Sequence, residues 1–182
     1  CKVIGGYDIY NDDEDPMDDN GHGTHVAATA AGNGVLSGVA PDAKIYSYKV
    51  LSADGRGSWS QVISGIEKAV DPNDDGDISD HVDIISMSLG GEGNPDDPLN
   101  QAIDNAFNGG VIVVVAAGNS GSVGVSIPGC ISYSTTVGAV NSLDKIATFS
   151  GRGNAVDITA PGVNIFSSWL GTSYVTASGT SM

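Results

Sequence analysis

Short, almost continuously apolar runs alternate along this chain with stretches whose apolar positions recur at helical spacing. IYSYKVL, DIISMSL and VIVVVAA are the clearest of the runs. Strands that are apolar at nearly every position bury both faces, the habit of a parallel sheet covered by helices. Strands are predicted over Lys2–Asp8, Lys44–Leu51, Asp83–Leu89, Val111–Ala117, Thr135–Val140 and Asp157–Thr159. Helices are predicted over His22–Ala31, Ser60–Val70 and Leu99–Asn108. In the second helix Val62, Ile63, Ile66, Ala69 and Val70 fall near helical spacing, and Ser60 is the expected cap. Nothing marks a linker or a repeat. The expected fold is α/β: one three-layer α/β/α domain with a mainly parallel central sheet. In such sheets reactive groups gather at the carboxyl ends of the strands. Here those ends read SLGG (Ser88–Gly91), AAGNSG (Ala116–Gly121) and APG (Ala160–Gly162), small residues that leave room for a substrate backbone.

Composition narrows the field of partners. With 182 residues, 40% of them hydrophobic, the chain can bury a core. A net charge of −15 argues against nucleic acid or an anionic membrane as partner. No apolar run reaches the length needed to cross a bilayer. Gly, at 26 residues, is about twice as common as usual, which suggests tight turns and places where backbone approaches a ligand. Of the 22 acidic residues 19 are Asp, a turn former and a good oxygen ligand for calcium. They crowd into Asn11–Asn20 and Asp71–Asp83, which read either as solvated loops or as cation sites. Cys1 and Cys130 admit one bridge or two free thiols.

Three segments carry candidate chemistry: NGHGTHVA (Asn20–Ala27), AAGNSG with Asn119 just past an apolar strand, and SGTSM (Ser178–Met182) with Ser181 among small residues. Each alone is weak. His22 and His25 could pair on a metal, but no third ligand of zinc type accompanies them. Together, in this order and on an α/β pattern, the three are specific. The chain resembles the subtilisin-like serine protease family along nearly its whole length, from GGYDIYNDDEDPMDDNGHGTHVAA through GVAPDAKIYSYKVL, DIISMSLGG, VVVAAGNSG, TVGAV and ITAPGVNIFSS to SGTSM. The resemblance implies His22 as general base, Ser181 as nucleophile and Asn119 as a side-chain donor to the oxyanion. A serine hydroxyl needs a neighbouring imidazole to take its proton, and the developing oxyanion needs preorganised donors. His25 is read as a structural helix residue.

The same resemblance implies a substrate-pairing edge at Asp54–Trp59, with Gly55, Arg56 and Gly57, and an opposing edge at Ser88, Leu89 and Gly90. An extended peptide between them would be held by backbone hydrogen bonds, a mode largely blind to sequence. Trp59, Val62 and Leu89 would wall the pocket for the residue four positions before the cut. Ala116, Ala117 and Gly118 would line the pocket for the residue just before it. Broad specificity follows, with larger apolar or aromatic residues favoured.

Calcium is the expected cofactor. Asp8, Asp13 and Asp15, with the Met17 carbonyl, match by position a calcium site of some family members. Asp71, Asn73, Asp75, Gly76 and Asp77 follow the D-x-N-x-D-G-x pattern of an EF-hand loop, although its twelfth residue is Val82. The loop Gly32–Pro41 is too short for the calcium site strongest in other members. One departure matters. The family's triad aspartate stands in an Asp-Ser/Thr-Gly motif upstream of the segment that opens this chain, and no such motif occurs here. Asp8 is not assigned that role. In the family the nucleophile also opens a long buried helix, whereas the sequence stops one residue after Ser181. The expectation is an internal fragment, truncated at both ends, that is inactive and poorly folded by itself. The resemblance implies a monomeric parent, secreted as a precursor with its own pro-region as partner, acting on protein or peptide substrates. The rival expectation is a catalytically silent, calcium-binding interaction domain.

Overall fold

The computed structural model describes residues 2–93 and 98–182. Cys1, and with it any pairing to Cys130, lies outside the described residues. The chain forms two compact units, Cys1–Val82 with Phe166–Thr176, and Asp83–Ile165 with Ala177–Met182.

In the first unit β1 (Val3–Asp8) runs parallel to β2 (Ile45–Lys49), with Val3 opposite Ile45 and Asp8 opposite Lys49. Two helices follow the expected order, α1 (His22–Ala31) and α2 (Trp59–Val70). α2 packs on β2 through a face that buries Val62, Ile66 and Ala69. Gly65 permits the approach, because a Cβ there would lie 2.8 Å from Val50 Cγ1. The cap of α2 is Ser58, not the expected Ser60. Ser58 accepts the Gln61 N–H while the Gln61 side chain accepts the Ser58 N–H at 2.8 Å, a complete capping box. β7 (Ile165–Ser168) and β8 (Tyr174–Ala177) pair with each other and were not anticipated. Stacked Phe166 and Tyr174 help to hold them together.

The second unit holds the main sheet. β3 (Ile84–Met87), β4 (Ile112–Ala116), β5 (Thr135–Val140) and β6 (Ile158–Pro161) lie side by side in that order, every pair parallel. α3 (Pro98–Asn108) packs on β4, burying Leu99, Ile103 and Ala106. Ile85, Met87, Val113 and Val115 are buried, but Ile84, Ile112 and Ile158 are more than half exposed. Burial on both faces was expected. Among the described residues α3 is the one α-helix of this unit.

Candidate active site

His22 opens α1. The residue before it, Gly21, has φ 105 and offers no side chain to cap the helix. Asp18 takes over that task from the loop. Its Oδ2 accepts the Thr24 N–H at 2.7 Å and the Thr24 hydroxyl at 2.6 Å, and its Oδ1 accepts the N–H groups of Asn20 and Gly21, both at 2.9 Å. Helix starts expose unpaired N–H groups and favour negative charge, so one carboxylate settles both needs. Burial by itself pushes the Asp18 carboxyl up, but the donors from Gly21, Thr24 and Asn20 hold it below its ordinary 3.8. For the half-buried His22, burial lowers the imidazole below 6.5; the Asp18 charge opposes this and His25 adds to it. The net shift favours the neutral imidazole, the form able to accept a proton.

Asn20 joins this loop to the expected substrate edge. Its Oδ1 accepts the His22 N–H at 3.2 Å and its Nδ2 donates to the Ala53 carbonyl at 2.7 Å. The edge itself is a turn, with Gly55 N–H on Ser52 O and Ser52 N–H on Arg56 O, both at 2.8 Å. Gly55, Arg56 and Gly57 are exposed, Trp59 is half-buried and Val62 is buried.

In the second unit, two sheet ends and the segment after β8 bring their residues together. Asn119 follows β4, Ser88 follows β3, and Thr180–Ser181 follow the return of the chain from β8. Asn119 Oδ1 accepts the Thr180 N–H at 3.0 Å and the Thr180 hydroxyl at 3.2 Å. That hydroxyl also accepts the Gly118 N–H at 3.0 Å. With Oδ1 so occupied, Nδ2 is the donor this exposed side chain has left. Ser181 Oγ donates to the Ser88 carbonyl at 3.2 Å, and Ser88 Oγ donates back to the Ser181 carbonyl at 2.8 Å. Leu89 is half-buried and Gly90 exposed. Ala116 and Ala117 are buried, whereas Gly118 is half-buried with φ +89. No side chain fits at Gly118, since a Cβ would sit 2.3 Å from Ser126 Oγ.

The two acidic clusters differ. Asp8 is almost fully buried and its charge is met within the chain: Lys49 Nζ lies 2.7 Å away, Asn11 donates its N–H and its side-chain amide, and the same Lys49 reaches Asp19 at 3.2 Å. Burial pushes the Asp8 carboxyl up, but Lys49 and Asn11 outweigh it and hold it low. Asp13 and Asp15 accept the N–H groups of Asp15 and Met17 respectively. The loop after α2 instead wraps on its own oxygens. Asp71 accepts from Asp75 and Gly76, Asn73 from Asp75, Asp75 from Asp77, and Asp77 from Ser79. Gly76, at φ +81, takes the left-handed turn residue of the pattern. Hard oxygen donors of this kind suit calcium. Among the described residues, however, no three His, Cys, Asp or Glu side chains converge as metal holders, His22 and His25 included. An ion in this loop would need Asn73 and backbone carbonyls as well.

Two residues that hold the candidate site were not singled out beforehand. Asp18 was legible as a helix-start carboxylate near the His-containing motif. Thr180 sat unremarked inside SGTSM.

The sequence profile of the Subtilase family matches residues 2–182, and this chain belongs to that family. It is 41% identical over 189 residues to Subtilisin DY of Bacillus licheniformis, covering 100% of this chain and 65% of that protein. It is 39% identical to Thermitase of Thermoactinomyces vulgaris and 39% identical to Serine protease AprX of Bacillus subtilis (strain 168), covering all of this chain and 63% and 50% of those proteins. The chain thus spans between half and two thirds of the length of these relatives. The crystal structure of a cold adapted subtilisin-like serine proteinase superposes with a TM-score of 0.87 at 38% identity, over 100% of this chain and 63% of that one. The fold is the subtilisin-like α/β fold. No helix among the described residues is long and apolar enough to cross a membrane.

Proposed function

We propose that these residues form part of the catalytic domain of a secreted serine endopeptidase of broad specificity. Ser181 Oγ attacks the scissile carbonyl and gives its proton to the His22 imidazole. The resulting oxyanion accepts from Asn119 Nδ2–H. His22 then protonates the leaving amine, and water repeats the sequence to release the acid. The orienting carboxylate of the triad is proposed to come from sequence outside these 182 residues, because no Asp-Ser/Thr-Gly motif occurs among them and Asp8 is held by Lys49. Without that carboxylate the isolated segment is expected to be inactive. The substrate runs between Gly55–Gly57 and Ser88–Gly90, with Trp59, Val62 and Leu89 as one pocket and Ala116–Gly118 as another. The observation that carries the reading is the tethering of Asn119: Thr180 takes its carbonyl oxygen, which leaves the amide as donor.

We also propose calcium as a structural ion. The Asp71, Asn73, Asp75 and Asp77 loop is the better supported site, because its sequence follows the D-x-N-x-D-G-x pattern and Gly76 is left-handed where that pattern turns. At Asp8, Asp13, Asp15 and the Met17 carbonyl an ion would have to share Asp8 with Lys49. The parent is taken to be monomeric and made with its own pro-region.

The test is a serine-directed fluorophosphonate applied to the full-length protein, followed by mapping of the labelled peptide. Labelling at Ser181, lost in His22→Ala, is the expected result. A folded, fully processed protein that takes no label would overturn the reading in favour of a silent calcium-binding relative.

A further inference from the structure

α1 is held at its start from two sides, and one of them comes from far along the chain. Gly21 is left-handed, and a Cβ built on it would lie 2.3 Å from Trp169 Cε2 and 2.6 Å from Cζ2. The indole therefore rests flat against the backbone of the residue just before His22. One helical turn later lies His25, wholly buried, with its ring 6.3 Å from the Trp169 ring at 74°. The edge-to-face arrangement is a favourable one for aromatic rings. Ser167, two residues before Trp169 and itself buried, donates its hydroxyl to the His25 carbonyl at 2.9 Å. The β7–β8 hairpin thus touches the chain immediately before His22 and three residues after it. Asp18 grips the same turn through Thr24 and Gly21 from within the loop.

We propose that Trp169, assisted by Ser167, is a positioning residue that fixes the His22 imidazole for proton transfer; this rests on His22 being the general base. A base works only within hydrogen-bond reach of the proton it takes. A tilt of α1 by roughly 10° carries the imidazole about 1 Å, and a misplacement of about 1 Å costs on the order of 10²-fold in rate. A flat, rigid indole on a residue with no side chain blocks that tilt in a way a flexible aliphatic chain would not.

The experiment uses the full-length enzyme with Trp169→Leu, Trp169→Phe, Ser167→Ala and His22→Ala. The Trp169 and Ser167 variants are assayed per active site, titrated with an irreversible inhibitor, His22→Ala is compared by labelling rate per mole of protein, and each is melted to check its fold. Trp169→Leu is expected to lower kcat about 10- to 100-fold with KM within about twofold. The rate of fluorophosphonate labelling should fall by the same factor, because it depends on the same base. Trp169→Phe keeps an aromatic ring and should recover most of the loss. Ser167→Ala removes a single tether and should lower kcat several-fold with KM unchanged, which keeps the test alive if Trp169→Leu does not fold. A Trp169→Leu or Ser167→Ala enzyme that melts earlier but keeps its kcat per titrated site would overturn the proposal, leaving the hairpin a purely structural brace. A His22→Ala enzyme that labels at the normal rate would instead overturn the role of His22 itself.

Discussion

Replacing Thr180 with Val removes one hydroxyl and almost no volume, so its effects can be traced to two hydrogen bonds. The hydroxyl donates to Asn119 Oδ1 at 3.2 Å and accepts from Gly118 N–H at 3.0 Å. Thr180 is only 8% exposed, so water replaces neither bond freely. The lost donation is worth about 0.5–1.5 kcal/mol, and an unpaired buried N–H costs about 1–3 kcal/mol, toward the low end here because Gly118 is half-buried. Together they predict a destabilisation of roughly 1.5–3 kcal/mol. Activity should fall as well, because Asn119 keeps its tether to the Thr180 N–H but loses the second one. Complete loss of the oxyanion-hole amide costs about 10²–10³ in kcat in a subtilisin, a measured figure for that enzyme and not one worked from this chain. With one tether left, a fall of roughly tenfold in kcat is expected, with KM little changed. Stability would be read by urea unfolding of the full-length, inhibitor-blocked protein, and kcat on a chromogenic peptide. Thr180→Ser retains the hydroxyl and should behave nearly as the unaltered enzyme. If Thr180→Val matches the unaltered protein in both assays, the tethering argument is wrong. If Thr180→Ser is as damaged as Thr180→Val, the methyl group matters and the hydroxyl does not.

Three further outcomes are expected. Asp18→Asn keeps an oxygen for the Thr24 N–H but removes the negative charge that raises the His22 imidazole against burial and against His25. The folded value of His22 must then drop further, so the acid limb of the pH–kcat/KM profile moves to lower pH; a limb that stays put or moves up refutes the assigned contact. Lys49→Met leaves the buried Asp8 without its cation and should cost about 3 kcal/mol in urea unfolding, since breaking one partner of a buried pair strands a charge. Asp71→Ala removes the acceptor for the Asp75 and Gly76 N–H groups and should abolish any rise in melting temperature on adding calcium. A rise that survives the substitution would point to the Asp8 cluster instead.

The short-range features were readable wherever a few neighbouring residues decide them. The apolar run VIVVVAA placed β4 within a residue or two, and the spacing of Val62, Ile66 and Ala69 gave the buried face of α2. Even the misplaced cap was within reach, because Ser58 and Gln61 form the S-x-x-Q pattern that Ser60 does not. The small residues at the strand ends likewise announced where Asn119 and Ser88 would lie. Burial on both faces of the sheet was less safe to infer, since an apolar run says that a face can be covered and not that it is.

By itself, then, the sequence determined the α/β class, the order of helices and parallel strands, the family, and His22, Asn119 and Ser181 as the residues to watch. Those depend on periodicity, turn chemistry and motifs a few residues long. Only the tertiary structure decided how the residues are held. The Asn119 amide is turned by Thr180 across 61 positions, Ser88 and Ser181 trade hydrogen bonds across 93, and Ser167 ties the helix of His22 across 142. Lys49 answers the charge of Asp8 from 41 positions away. Such partners are chosen by which surfaces pack together, and that choice is made by the whole chain at once.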